Sequence, residues 1–194
     1  VDRVATQVTR LADSYVKEFT TRFPEQAEFS GLSMARHDTL SDNSLKALGE
    51  WQALEDRLFN VLQPLDAAVL RGPPEWVTLG FLKEAIESSR ATRVCRSELW
   101  PVNQLSGWQA LMAQLVAVQP VGSDAARAEA LARWTQLPRY IDTEIVNLRE
   151  GLRASYTTPK RNVQLVIEQL DAVLAKPGEQ GPFYSPAERD KSEA

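Results

Sequence analysis

Along the first twenty positions Val4, Val8, Leu11, Tyr15 and Phe19 recur at spacings of three and four, which puts them on one face of a helix. Pro24-Glu25-Gln26-Ala27 then reads as a short second helix, with proline in its first turn and an acid near its positive end, stopped at Gly31. Residues 31–44 are polar and aperiodic, and Ser41, Asp42, Asn43 and Ser44 all suit the N-cap of the next helix. That helix carries Leu45, Leu48, Trp51, Leu54, Leu58 and Leu62 and ends near Pro64. A break at Gly72-Pro73-Pro74 opens another, with Trp76, Leu79, Phe81, Leu82, Ile86 and Val94 on its apolar positions. Trp100-Pro101 interrupts the period and Asn103–Gly107 reads as a turn or cap. Trp108, Leu111, Met112, Leu115 and Val116 then restore the helical period.

Ser123 is the next N-cap, ahead of an alanine-rich helix. Beyond Pro138, Ile141, Ile145, Leu148 and Leu152 define a core face, and Gly151 closes that helix. Thr158-Pro159 restarts the chain, Thr as cap and Pro at the first helical position, and Val163, Ile167, Leu170 and Leu174 form the face that follows. Alternation with a period of two never lasts, and no repeat is visible. The expectation is an all-α, multi-helix bundle of about seven helices without significant β-sheet. It forms a single helical domain over residues 1–184, with a polar flexible tail over 185–194.

Charge and composition narrow the partners. A formal net charge of −4 gives neither the clustered cations that phosphate backbones require nor a polybasic membrane patch, so nucleic acid is not expected as a partner. No apolar run is long enough to span a bilayer, so no transmembrane segment is expected. One cysteine, Cys95, leaves no intrachain disulfide to form. The amphipathic pattern is already running at the first residues, which reads as a processed or trimmed start.

Chemistry-bearing residues are few. Hydrolytic zinc needs three protein ligands, usually including two histidines, and the chain has only His37. With Arg36 and Asp38 beside it, His37 reads as a solvated loop residue. Cys95, between arginines at 93 and 96, could be an activated thiol, but a packed structural cysteine is the stronger reading. The pairs Glu84/Glu87 and Asp142/Glu144 read as solvated helix faces. No catalytic or metal residue is therefore assigned, and no cofactor is expected in this chain. Trp100 and Trp108 bracket Asn103 and Gln104. Aromatic rings beside amide side chains could line a cleft and bind a peptide backbone, which makes Trp100, Asn103, Gln104 and Trp108 the candidate substrate-binding residues. The alternative is that both rings are core and Asn103 is a cap.

Several of these strings resemble a known family. Trp100-Pro-Val-Asn-Gln-Leu-Ser-Gly107 is similar to a hallmark of the bacterial family known as domain of unknown function 885. In the same order, Leu137-Pro-Arg-Tyr-Ile-Asp142, Leu148-Arg-Glu-Gly-Leu152, Thr158-Pro159, Val166-Ile-Glu-Gln-Leu170 and Pro182-Phe-Tyr-Ser-Pro186 resemble its later motifs. Leu11-Ala-Asp-Ser-Tyr15 through Phe23-Pro24-Glu25 is similar to its first helix. The resemblance implies an all-helical protein like a gluzincin-type zinc metallopeptidase, often an exported lipoprotein and so periplasmic or membrane-anchored. The family's His-Glu…Gly-His metal signature has no counterpart here. On that reading the chain is a non-catalytic N-terminal region forming one wall of a substrate cleft. Its partners are the remainder of the same polypeptide and a peptide substrate, and zinc belongs to the full-length protein. The alternative is a free-standing helical interaction module, gripping a partner helix in a groove.

Overall fold

A computed structural model describes residues 2–70 and 74–193. Three-quarters of the described residues are helical and none of them lies in a strand, so the all-α class holds. The expected break at Gly72-Pro73 lies outside the described residues. The chain divides into two compact units, one built from residues up to Arg22 with Ser44–Arg96, the other from Phe23–Asn43 with the residues from Ser97 onward.

The first unit contains α1 (Asp2–Arg22), α3 (Leu45–Leu62) and α4 (Pro74–Thr92); α2 (Pro24–Phe29) belongs to the second. Ser44 caps α3, its hydroxyl accepting the Ala47 N–H. Val8, Leu62, Leu70, Leu79, Leu82 and Ile86 form the buried core, with Val4, Leu11, Tyr15 and Leu58 packed around it. Tyr15 and Phe19 hold Trp51 at ring separations of 5.6 and 6.3 Å. Glu55 lies on the same side of α3 as Trp51 and Leu62 and is only 1% exposed. It survives there because Arg93 and Ser89 each donate to its carboxylate at 2.8 Å. Burial, with the charge of Glu55 adding to it, pushes the Tyr15 hydroxyl above its ordinary pKa. Trp76 and Phe81, expected in the core of α4, are exposed, and so is Val94, which lies in a 3-10 turn beyond the end of that helix. In α4 the buried row is Leu79, Leu82 and Ile86; Phe81 falls on the far side of the helix, and Trp76 lies at the flank of the buried row, half exposed.

The second unit contains α2, α5 (Trp108–Val118), α6 (Asp124–Trp134), α7 (Leu137–Arg153), α8 (Lys160–Leu174) and α9 (Ser185–Glu193). Its core is Leu40, Met112, Leu115 and Tyr140, flanked by Trp108, Trp134 and Leu137. Ser123 caps α6 as expected, accepting the Ala126 N–H.

Three expectations fail here. The buried side of α7 is Tyr140, Glu144, Asn147 and Gly151, while Ile145 and Leu152 are exposed. In α8 only Val166 is fully buried, and Ile167 and Leu174 face solvent. The stretch expected to be a flexible tail forms α9, and Arg189 in it donates to the carbonyls of Val116 and Gln119.

The polar stretch 31–43 explains the first failure. It forms no helix, so its backbone groups need partners from elsewhere. Glu25 accepts from the Ser41 N–H and hydroxyl. Gln136 receives the Leu40 N–H and donates to the Asp38 carbonyl. Asn147 donates to the Asn43 carbonyl at 2.8 Å, and Asn43 donates to the Tyr140 carbonyl and to Glu144. The segment is a strap fastened by polar side chains, and α7 turns its polar side inward to fasten it.

His37 belongs to this strap and is not simply solvated. Its Nδ1 lies 2.8 Å from Glu28 Oε2, and its backbone N–H donates to Glu129 Oε2 at 2.9 Å. The same Glu28 oxygen accepts from Arg133, which is wholly buried. Arg133 also donates to the Thr39 carbonyl and to Gln119 Oε1, and Gln119 donates to the His37 carbonyl.

Candidate functional site

Trp100, Asn103, Gln104 and Trp108 lie on one loop and the start of α5. Asn103 Oδ1 accepts the N–H groups of Leu105 and Ser106 at 2.7 and 3.1 Å, so this side chain shapes the turn. The Asn103 carbonyl accepts the Gly107 N–H and Gln109 Nε2, both at 2.9 Å. A Cβ on Gly107 would overlap that carbonyl, which is why glycine ends the turn. Trp108 packs against the core beneath. Gln104 has a buried Oε1 without a partner, while its carbonyl accepts from Gln169 of α8. Gln169 Oε1 in turn accepts from Gln109. Of the two rings, Trp100 is the exposed one, at 37%.

Two further anchors fix the loop at its beginning. Thr158 does not cap α8. Its hydroxyl donates instead to the Trp100 carbonyl at 2.9 Å, and α8 starts after Pro159. Gly151 does not close α7, which runs on to Arg153. The left-handed residue beyond that helix is Ser155, at φ 63. What Gly151 does is let the Leu99 backbone lie directly on α7: a Cβ there would sit 2.9 Å from the Leu99 carbonyl carbon and closer still to its oxygen. The stretches around Trp100, Gly151, Thr158 and Gln169, separate in sequence, therefore converge on one loop and hold its backbone from several sides. The sequence did not reveal this convergence, because glycine and threonine read locally as terminator and cap.

Two other predicted residues differ from expectation. Cys95 is exposed rather than packed, because the chain leaves α4 before reaching it. Glu84, Glu87 and Asp142 are exposed as expected, but Glu144 is buried. One oxygen of Glu144 accepts from Asn43, and the other has no partner, nor has Asn43 Oδ1. Burial pushes the Glu144 carboxyl above its ordinary pKa, and the Asn43 hydrogen bond opposes this only in part. A raised carboxyl stabilises the fold below the unfolded-state pKa and loses that contribution as pH rises through its folded value. Glu144→Gln does not titrate. Its stability relative to wild type should improve as pH rises above the ordinary carboxyl range of about 4, as followed by urea unfolding. A difference that is flat or reversed with pH would contradict a strained buried carboxylate.

Among the described residues no group of three or more His, Cys, Asp or Glu side chains is placed to hold a metal ion, and no helix is long and apolar enough to cross a membrane. The fold and the loop define an all-helical protein in which several separated stretches brace a single aromatic loop. Residues 24–194 match the family model described as "Bacterial protein of unknown function (DUF885)", and the chain belongs to that family. The stretch Leu11–Tyr15 precedes the matched residues. No curated protein and no solved structure matches the chain.

Proposed function

We propose that this chain is the non-catalytic helical region of a metallopeptidase-like protein, and that it forms one wall of a substrate cleft whose zinc site lies outside these residues. The observation that carries the reading is the braced loop. Its backbone is held by Thr158, Gln109, Gln169 and the contact at Gly151, and it carries Trp100 at the surface. A rigid shelf with an aromatic ring supplies contact area and positioning rather than bond-making chemistry. The residues present do not fit a zinc site: the only histidine is engaged by Glu28 within the strap. The exposed apolar side of α7, with Ile145, Val146 and Leu152, supports packing against further protein.

The test compares the product of the whole reading frame with residues 1–194. The longer protein should hold zinc stoichiometrically by elemental analysis and cleave peptides, and the shorter chain should do neither. In the longer protein Trp100→Ala should raise KM with zinc content unchanged. Stoichiometric zinc on the shorter chain, or a zinc-free longer protein, would overturn the reading. The exposed Trp76, Val77 and Phe81 on α4 favour the second reading, an interaction module, should the reading frame stop at residue 194.

A further inference from the structure

The second unit holds an apolar cleft of about 530 Å³, separate from the braced loop. Ala130, Leu131 and Trp134 of α6 form one wall, and Phe183, Pro186 and Ala187, at and before the start of α9, form another. Trp134 and Phe183 meet edge to face with centroids 6.0 Å apart. The volume lies within the range of small-molecule sites, roughly 300–1,000 Å³.

The charged residues on the lining decide what could enter. Asp190 accepts from Arg127 Nε through both oxygens, at 2.7 and 3.0 Å, and from the Gly122 N–H at 2.9 Å. Arg127 also donates to Asp124 at 2.6 Å. Those hydrogen bonds, the one from Arg127 first, hold the Asp190 carboxyl below its ordinary pKa, so it stays ionised and paired. The cation is thus engaged by two carboxylates, and an anionic ligand would meet Asp190 and Asp124 before it gained Arg127. A cationic ligand would have to compete with Arg127 for Asp190. The Trp134 ring nitrogen is buried and has no hydrogen-bond partner within the protein, so the ring meets the cleft chiefly through its carbon surface.

From the apolar lining and the closed ion pair, we propose that this cleft binds an uncharged, predominantly hydrocarbon small molecule, such as an aryl or branched-alkyl compound. The site does not depend on the peptidase reading. Binding would bury apolar surface of α6 and α9 against the ligand without disturbing the Arg127–Asp190 pair.

The probe is N-phenyl-1-naphthylamine, which is uncharged, compared with its anionic analogue 8-anilinonaphthalene-1-sulfonate. Both are titrated into the 194-residue protein and followed by fluorescence. The neutral amine should bind saturably at one site, and the sulfonate at least about tenfold more weakly. Leu131 is 70% exposed and Ala187 is also exposed, so substitutions there leave the core alone. Leu131→Asp brings a charge to the lining and Ala187→Trp fills the cleft; each should weaken the amine by about tenfold or more. Phe81→Asp, on the apolar surface of α4, should leave binding unchanged. The proposal is overturned if the amine does not saturate, if the sulfonate binds as well, if both cleft variants bind normally, or if Phe81→Asp abolishes binding.

Discussion

Arg133→Ala should lower the unfolding free energy by about 3–5 kcal/mol, the range seen when one partner of a buried ion pair is removed. The guanidinium is 0% exposed, and each of its polar nitrogens has an acceptor. Its removal does more than delete three hydrogen bonds. The Glu28 carboxylate, whose side chain is 10% exposed, loses its cation. Gln119, fully buried, loses the donor to its Oε1, and the Thr39 carbonyl of the strap is left without its side-chain donor. Each orphaned buried group adds its own desolvation cost. Equilibrium urea unfolding measures the loss. A double variant, Arg133→Met with Glu28→Gln, should be less destabilised than the sum of its single changes, because the uncompensated carboxylate is gone. A loss below about 1 kcal/mol for Arg133→Ala would mean that the strap is held chiefly by its other fasteners.

The strap also shows where sequence reading succeeds and where it stops. Hydrophobic periodicity finds a face when that face is buried against other apolar residues. It located Val8 in α1 and Met112, Leu115 and Val116 in α5, all buried. Serine caps were equally legible, because Ser44 and Ser123 each satisfy an orphan N–H within their own first turn. In α7 the same reasoning picked the row of Ile145 and Leu152, whereas the buried row is Tyr140, Glu144, Asn147 and Gly151. A side buried by hydrogen bonding to an irregular segment has no hydrophobic signature, so periodicity passes over it. Its partners lie about 100 residues away in sequence, as Asn43 does from Glu144 and Asn147. The available signal was compositional: a polar stretch too rich in backbone demand to stand alone, together with helices carrying Asn, Gln and Glu at helical spacing. The braced loop was legible as a string, from Trp100 to Gly107, but not as a mechanism. Its anchors act on backbone carbonyls, which every residue possesses and no sequence distinguishes.

Gly151→Ala and Gly49→Ala should change stability in opposite directions. Both residues sit inside helices, where replacing glycine by alanine ordinarily gains about 1 kcal/mol. Gly49 is exposed, and a Cβ there meets nothing within 4 Å, so Gly49→Ala should realise most of that gain. At Gly151 the new methyl would collide with the Leu99 carbonyl, which is backbone and cannot swing aside as a side chain can. Either α7 or the 3-10 turn at Ser97–Leu99 must retreat, and overpacking of this kind costs about 3 kcal/mol or more, outweighing the propensity gain. For a chain of this size that is a fall of about 6–12 °C in Tm, against a rise of about 2–4 °C for Gly49→Ala. Thermal unfolding followed by circular dichroism at 222 nm separates the two. The retreat would also move Trp100, one residue past the contact, so Trp100 emission should shift in Gly151→Ala even below the transition. If Gly151→Ala is as stable as wild type, the Leu99 backbone does not rest on α7, and the loop loses one of the anchors that make it rigid.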